Sequence, residues 1–118
     1  MKDKGTIVSQ YVNQIAVNQL MQEVGDENIP VLFGIFCDEL DDFIGALSSH
    51  PEIDKVREIS HCLKSSAGSF GADKLAKMAI HIEEKAKQKQ EKWVERNISE
   101  FVDIARQTEM AYRELLLK

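Results

Sequence analysis

From Leu32 to Leu115 the apolar residues of this chain recur at intervals of three and four, and no stretch shows the two-residue alternation of a half-buried strand. Helices are therefore the regular structure open to it. The pattern is interrupted at isolated places: Gly25 and Pro30, the stretch Ser48-Ser49-His50-Pro51, and Gly71. No repeat, low-complexity block or Pro/Gly/Ser tract lies between them. The breakers thus mark turns between helices, and residues 1–118 are expected to form a single domain.

Five helices are predicted. A short first helix carries Ile15, Leu20, Met21 and Val24 and closes at Gly25, with residues 1–12 ahead of it expected to be flexible. Asn28 reads as the N-cap of a second helix, with Pro30 in its first turn and Leu32, Phe36, Leu40, Phe43 and Leu47 repeating along it. Phe33, Phe36 and Phe43 are read as core residues. The third helix begins near Pro51, aligns Val56, Ile59, Leu63, Ala67 and Phe70, and ends at Gly71. In the fourth, Asp73 sits in the first turn, Leu75, Ala79, Ile82 and Ala86 face inward, and Lys85, Lys87 and Lys89 form either a solvated basic face or a recognition surface. The last runs from about Trp93 and aligns Val94, Ile98, Phe101, Ala105, Thr108, Tyr112 and Leu115. The economical packing is all-α: an antiparallel up-down-up-down four-helix bundle with the short N-terminal helix across one end.

Composition removes several classes of function. A formal charge of -5 argues against a nucleic-acid partner, because phosphate backbones require a clustered excess of Lys and Arg. Cys37 and Cys62 have neither close spacing nor a Cys/His cluster around them, so reduced thiols are expected rather than a disulfide or a zinc site. Without a long apolar run, neither a signal peptide nor a spanning helix is expected, which points to the cytoplasm and away from a membrane partner.

The third helix holds the most informative residue. At about 100° per residue its core stripe clusters within roughly 40° of one direction, and His61 points almost directly away. The positions that share its face, Ser65 and Gly68, are both small and leave the imidazole standing clear. A glycine inside a helix costs about 0.5–1 kcal/mol relative to alanine, and close approach of another surface is one reason to keep Gly68. Lys64 puts an ammonium beside the ring, where it would repel an imidazolium but attract a bound phosphoryl group. Phosphoryl transfer needs a neutral nucleophile, positive charge near the equatorial oxygens and an open path. Glu58, one turn before His61, or Glu84 on the fourth helix could accept the ring N–H.

The run His61-Cys62-Leu63-Lys64-Ser65-Ser66-Ala67, followed by Gly71, resembles the signature of the histidine-containing phosphotransfer (HPt) family: His-x-Leu-Lys-Gly, small residues, and a trailing Gly. The resemblance covers essentially the whole chain. More narrowly, Glu58 to Ala67, Ser69 to Asp73, and the earlier Gly25, Asn28, Pro30-Val31-Leu32 and Ile35-Phe36 are similar to the family's quorum-sensing phosphorelay members. Ser65 stands where most of the family has Gly. It narrows access without blocking it and resembles the quorum-sensing members, its hydroxyl a candidate to orient the imidazole or the phosphoryl group.

The resemblance implies that His61 is phosphorylated on a ring nitrogen and that Lys64 stabilises the phosphoryl oxygens. It further implies that the partners are receiver domains of hybrid sensor histidine kinases and of a response regulator. The receiver would bring the aspartate and the magnesium ion, so no cofactor of the chain's own is expected. Docking residues implied by the family are Leu20, Met21, Val24, Leu32 and Cys62.

Three rivals bear weighing. Glu58-Ile59-Ser60-His61 is a Glu-x-x-His motif of carboxylate-bridged di-iron bundles, but such a site needs two of them facing inward, and this chain has one whose histidine faces out. A kinase dimerisation domain usually has an acid after its histidine and a proline a few residues on; Cys62 and Ser66 stand there, and no Gly-rich nucleotide-binding segment exists, so no kinase activity is expected. A helical adaptor without phosphotransfer is the alternative, with His61 an ordinary surface residue. His50 reads as a loop residue and His81 as a packing or surface residue. The stripes are used up inside one bundle, so a monomer is expected.

Overall fold

Two glycines fix where the first and third helices stop. In the computed structural model, which describes residues 10–117, Gly25 and Gly71 are the glycines with positive φ, at 87° and 82°. Between and beyond them lie α1 (Gln14–Val24), a 3-10 turn (Asp26–Asn28), α2 (Ile29–Ser48), α3 (Ile53–Phe70), α4 (Asp73–Lys87) and α5 (Glu91–Leu116). No strand occurs among the described residues, and no helix among them is long and apolar enough to cross a membrane.

Helix α1 starts at a side-chain cap, the Asn13 Oδ1 accepting from the Ala16 amide at 3.2 Å. Its inward residue is Val17, with Leu20 and Met21 packed half-buried beside it. Ile15, expected on this stripe, is 71% exposed, because it lies about 200° around the helix from Val17. Of the segment expected to be flexible, residues 1–9 lie outside the described residues; at its other end Val12 is buried in the core.

Asn28 departs from its expected role. It occupies the N-cap position of α2, but its backbone is already helical (φ −92°, ψ −15°) and its side chain caps nothing on α2. The Asn28 side chain instead donates its Nδ2 back to the Val24 carbonyl, so it satisfies the end of α1. The 3-10 turn runs straight into α2, which leaves that carbonyl as the nearer orphan. Pro30 falls in the first turn of α2 as its missing N–H allows. The buried face of α2 is Phe33, Phe36, Cys37, Leu40, Ile44 and Leu47, so Leu32 and Phe43 sit at its half-buried edge.

Helix α3 buries Val56, Ile59, Leu63 and Ala67, and Ser60 is accommodated in the same face by donating its hydroxyl to the Val56 carbonyl at 2.7 Å. At its end the Gly71 and Ala72 amides bond back to the carbonyls of Gly68 and Ala67. A Cβ on residue 71 would lie 2.8 Å from the Ala16 Cβ. The Gly71 carbonyl accepts from the Asn13 amide at 2.8 Å, and Asn13 Nδ2 donates to Asp73 at 2.9 Å. This turn therefore ties α1 to both α3 and α4.

The chief packing pairs are α3 with α4, α2 with α5, and α4 with α5. Asp54 at the start of α3 pairs with Lys89 just past the end of α4, and Lys64 further along α3 pairs with Glu83 further back on α4, so the two run in opposite directions. Phe33 and Phe36 of α2, Phe70 of α3 and Tyr112 of α5 meet in one aromatic cluster, Phe36 stacked on Phe70 at 4.6 Å between centroids. The buried Tyr112 hydroxyl donates to the Phe70 carbonyl at 2.7 Å, joining α5 to the last turn of α3. Ile98 and Leu115, read as part of the α5 stripe, pack half-buried at its margin, while Ile104 and Ala111 join the core.

Candidate functional site

The α3 stripe that buries Ile59 and Leu63 necessarily turns His61 outward, and its side chain is 66% exposed. The ring is nevertheless held: Nδ1 lies 2.8 Å from Oε2 of Glu83, on α4. The other oxygen of that carboxylate, Oε1, accepts from the Lys64 ammonium at 2.7 Å. Lys87, one turn further along α4, stands 3.7 Å from Oε2. Glu83 itself is buried, with 6% of its side chain exposed.

A buried carboxylate ordinarily resists ionisation. Here the hydrogen bond from Lys64 outweighs burial, and the bond to His61 with the charges of Lys64 and Lys87 adds to it, so the carboxyl is held down to about 2. Glu83 is thus an anion at neutral pH and can only accept from the ring. The proton must sit on Nδ1, which leaves the lone pair on Nε2. The site is an imidazole oriented through Nδ1, with Nε2 turned away from the carboxylate.

Beside His61 is a shallow hollow of about 430 Å³ lined by Asp54, Arg57, Glu58, Cys62, Glu83 and Lys87. Ser65 and Gly68 are exposed on the same face. A Cβ added at Gly68 would meet nothing within 4 Å, so this chain's own packing does not require the glycine. The ring is oriented by Glu83; among the described residues no hydrogen bond joins it to the Ser65 hydroxyl. Among the docking candidates, Cys62 is exposed and lines the hollow, while Leu20, Met21, Val24 and Leu32 are half-buried. Two apolar residues that the sequence did not single out as exposed, Val31 and Ile35, stand 63% and 60% exposed on α2.

The acceptor for the ring N–H is neither of the two carboxylates named from sequence. Glu58 reaches back to Lys55 at 3.4 Å, and Glu84 is exposed. The signal for Glu83 was present: on the wheel of α4, Glu84 lies about 180° from the Leu75 direction and Glu83 about 80°, at the edge of the buried stripe. The basic end of α4 is also less free than expected, since Lys85 lies over the Trp93 ring at 5.5 Å and Lys89 pairs with Asp54 at 2.6 Å. Among the described residues no group of three or more His, Cys, Asp or Glu is placed to hold a metal ion.

This helical chain displays one oriented histidine above a buried carboxylate and a lysine, and its residues 31–115 match the family model of the Hpt domain. The chain belongs to that family. Among curated proteins it is similar to the phosphorelay protein LuxU of Vibrio cholerae serotype O1, 36% identical over 110 residues that cover 91% of this chain and 97% of that protein. It is 42% identical to the phosphorelay protein LuxU of Vibrio harveyi over 105 residues, 86% of this chain and 92% of the relative. The Vibrio vulnificus protein of the same name is 38% identical over 104 residues, 86% and 90% of the two chains. No solved structure gives a significant match.

Proposed function

We propose that this chain carries a phosphoryl group on His61 between receiver domains of a multistep phosphorelay. It would accept the group from the aspartate of a hybrid sensor kinase's receiver and pass it to the receiver of a response regulator. The observation that carries this reading is the Glu83–His61 hydrogen bond, which fixes the ring tautomer and frees Nε2. In the forward step the Nε2 lone pair attacks phosphorus, the P–O bond to the donor aspartate breaks, and that electron pair stays on the aspartate oxygen. The ring becomes cationic and keeps its Nδ1 proton, which Glu83 stabilises. In the return step the P–N bond breaks and its electrons go back to Nε2. Lys64 offers its ammonium to the phosphoryl oxygens, and Ser65 and Gly68 leave the approach open.

The similarity to the LuxU proteins supports a quorum-sensing relay with a LuxO-like response regulator as acceptor. In this reading the chain is one cytoplasmic domain, monomeric, with no kinase activity of its own, and its magnesium ion comes with the receiver. Helices α2 to α5 are its antiparallel up-down-up-down four-helix bundle, capped by α1. Leu20, Met21, Val24, Leu32 and Cys62 contribute to receiver docking.

The test is transfer from a labelled phospho-receiver to the wild type and to His61→Gln. Label that is acid-labile, alkali-stable and confined to the wild type is expected, with phosphorus on Nε2 by NMR. Absence of label from every receiver tried would overturn the reading in favour of a helical adaptor.

A further inference from the structure

Glu83 has more cationic company than the resting site requires. Lys64 and the His61 N–H already satisfy its two oxygens at 2.7 and 2.8 Å, yet Lys87 waits at 3.7 Å from Oε2 with half of its side chain in solvent. Building on the carrier reading, we infer that Lys87 is a positioning residue that takes over Glu83 when Lys64 leaves it for the phosphoryl group.

A single ammonium cannot serve both anions well. When Nε2 gains a phosphoryl group, Lys64 is drawn to the new charge, and its departure strips a buried carboxylate of its strongest hydrogen bond. Unpaired, Glu83 would either hold Lys64 back or become protonated, and then it would no longer anchor the Nδ1 proton. Lys87 sits four residues from Glu83 on the same helix face, so its flexible stem closes the remaining ångström by rotation alone. It also lines the hollow beside His61. The exchange keeps Glu83 ionised and the imidazole oriented in both states of the carrier, and it releases Lys64 at little cost.

The test is a double-mutant cycle read as the rate of phosphoryl transfer from a labelled receiver, with folding of each variant checked by circular dichroism. Lys87→Met should slow transfer about tenfold, and Lys87→Arg should restore most of it. In the Glu83→Gln background the amide oxygen still accepts from Nδ1, no anion retains Lys64, and Lys87→Met should add nothing. An equal cost of Lys87→Met in both backgrounds would mean that Lys87 touches the phosphoryl group or the receiver directly, and no cost in the wild type would mean that it does neither; each result overturns the inference. A second reading comes from lysine ammonium NMR after phosphorylation with phosphoramidate. The Lys87 signal should become protected from exchange on phosphorylation, and a signal unchanged between the two states contradicts the exchange. Wild type that takes label while His61→Gln does not keeps the carrier reading intact whichever way the cycle falls.

Discussion

One carboxylate, that of Glu83, holds an otherwise exposed histidine in a fixed orientation. Glu83 is held ionised by Lys64, by the ring N–H and by Lys87 against the resistance of burial. Its folded value of about 2 lies below the ordinary 4.5, so the unfolded chain binds more protons between those limits. The stability that Glu83 contributes is therefore complete above pH 4.5 and is lost as the pH falls toward 2. Urea midpoints across that window should show the wild type's advantage over Glu83→Gln shrinking as pH falls; a constant difference would mean that the carboxylate's charge is not what matters. Gly68 makes the opposite kind of case. With open space where a Cβ would go, Gly68→Ala should raise the stability of the isolated chain by about 0.5–1 kcal/mol in urea denaturation. On the proposed function the same variant should slow transfer from a receiver, because the added methyl would stand on the face the receiver approaches. That His61 faces outward was readable from the wheel of α3 alone. Its partner was not read, because the carboxylate sits on another helix and local spacing does not state which face of α4 meets α3.

Helices were legible wherever one face is buried by a regular stripe. Val56, Ile59, Leu63 and Ala67 of the α3 stripe are buried where the three-four spacing puts them, Phe70 is half-buried because it ends the helix, and Gly71 terminates α3 and Asp73 opens α4 as read. Where the apolar set is rich enough to fit two faces, spacing alone could not choose. In α2 the series from Phe33 won over the edge held by Leu32 and Phe43, because Phe33 and Phe36 are the rings that reach Phe70 and Tyr112. Asn28 shows the same limit at a helix end: its residue type announces a cap but not which of two adjoining helices it serves. Gly71 is the element-scale feature on which the site's placement depends. It stops α3 ten residues after His61 and accepts the Asn13 amide at a point where a side chain would strike Ala16. Gly71→Ala should cost about 1–3 kcal/mol in urea denaturation, from the left-handed backbone and the 2.8 Å approach to Ala16 together. Exchange protection at the Asn13 amide should fall with it, whereas a neutral substitution would show that α1 docks by other means.

At the scale of the molecule, α3 and α4 present the histidine and its carboxylate, while α5 and α2 brace them from behind. The bracing is specific: the Tyr112 hydroxyl holds the last turn of α3 through the Phe70 carbonyl, and Arg113 ties α5 to Asp38 and Asp41 of α2 at 3.5 and 3.1 Å. The candidate site groups thus lie on braced helices, and what remains open is the face that a receiver would cover. On the proposed function a relay carrier takes and gives through that one face, so its partners should exchange a group only by way of His61. The direct measurement places a labelled phospho-receiver and a second, unlabelled receiver together with the chain. Label is expected on the second receiver's aspartate with the wild type and on neither product with His61→Gln. Passage at the same rate with His61→Gln, or label that enters the wild type at any residue other than His61, would contradict the account.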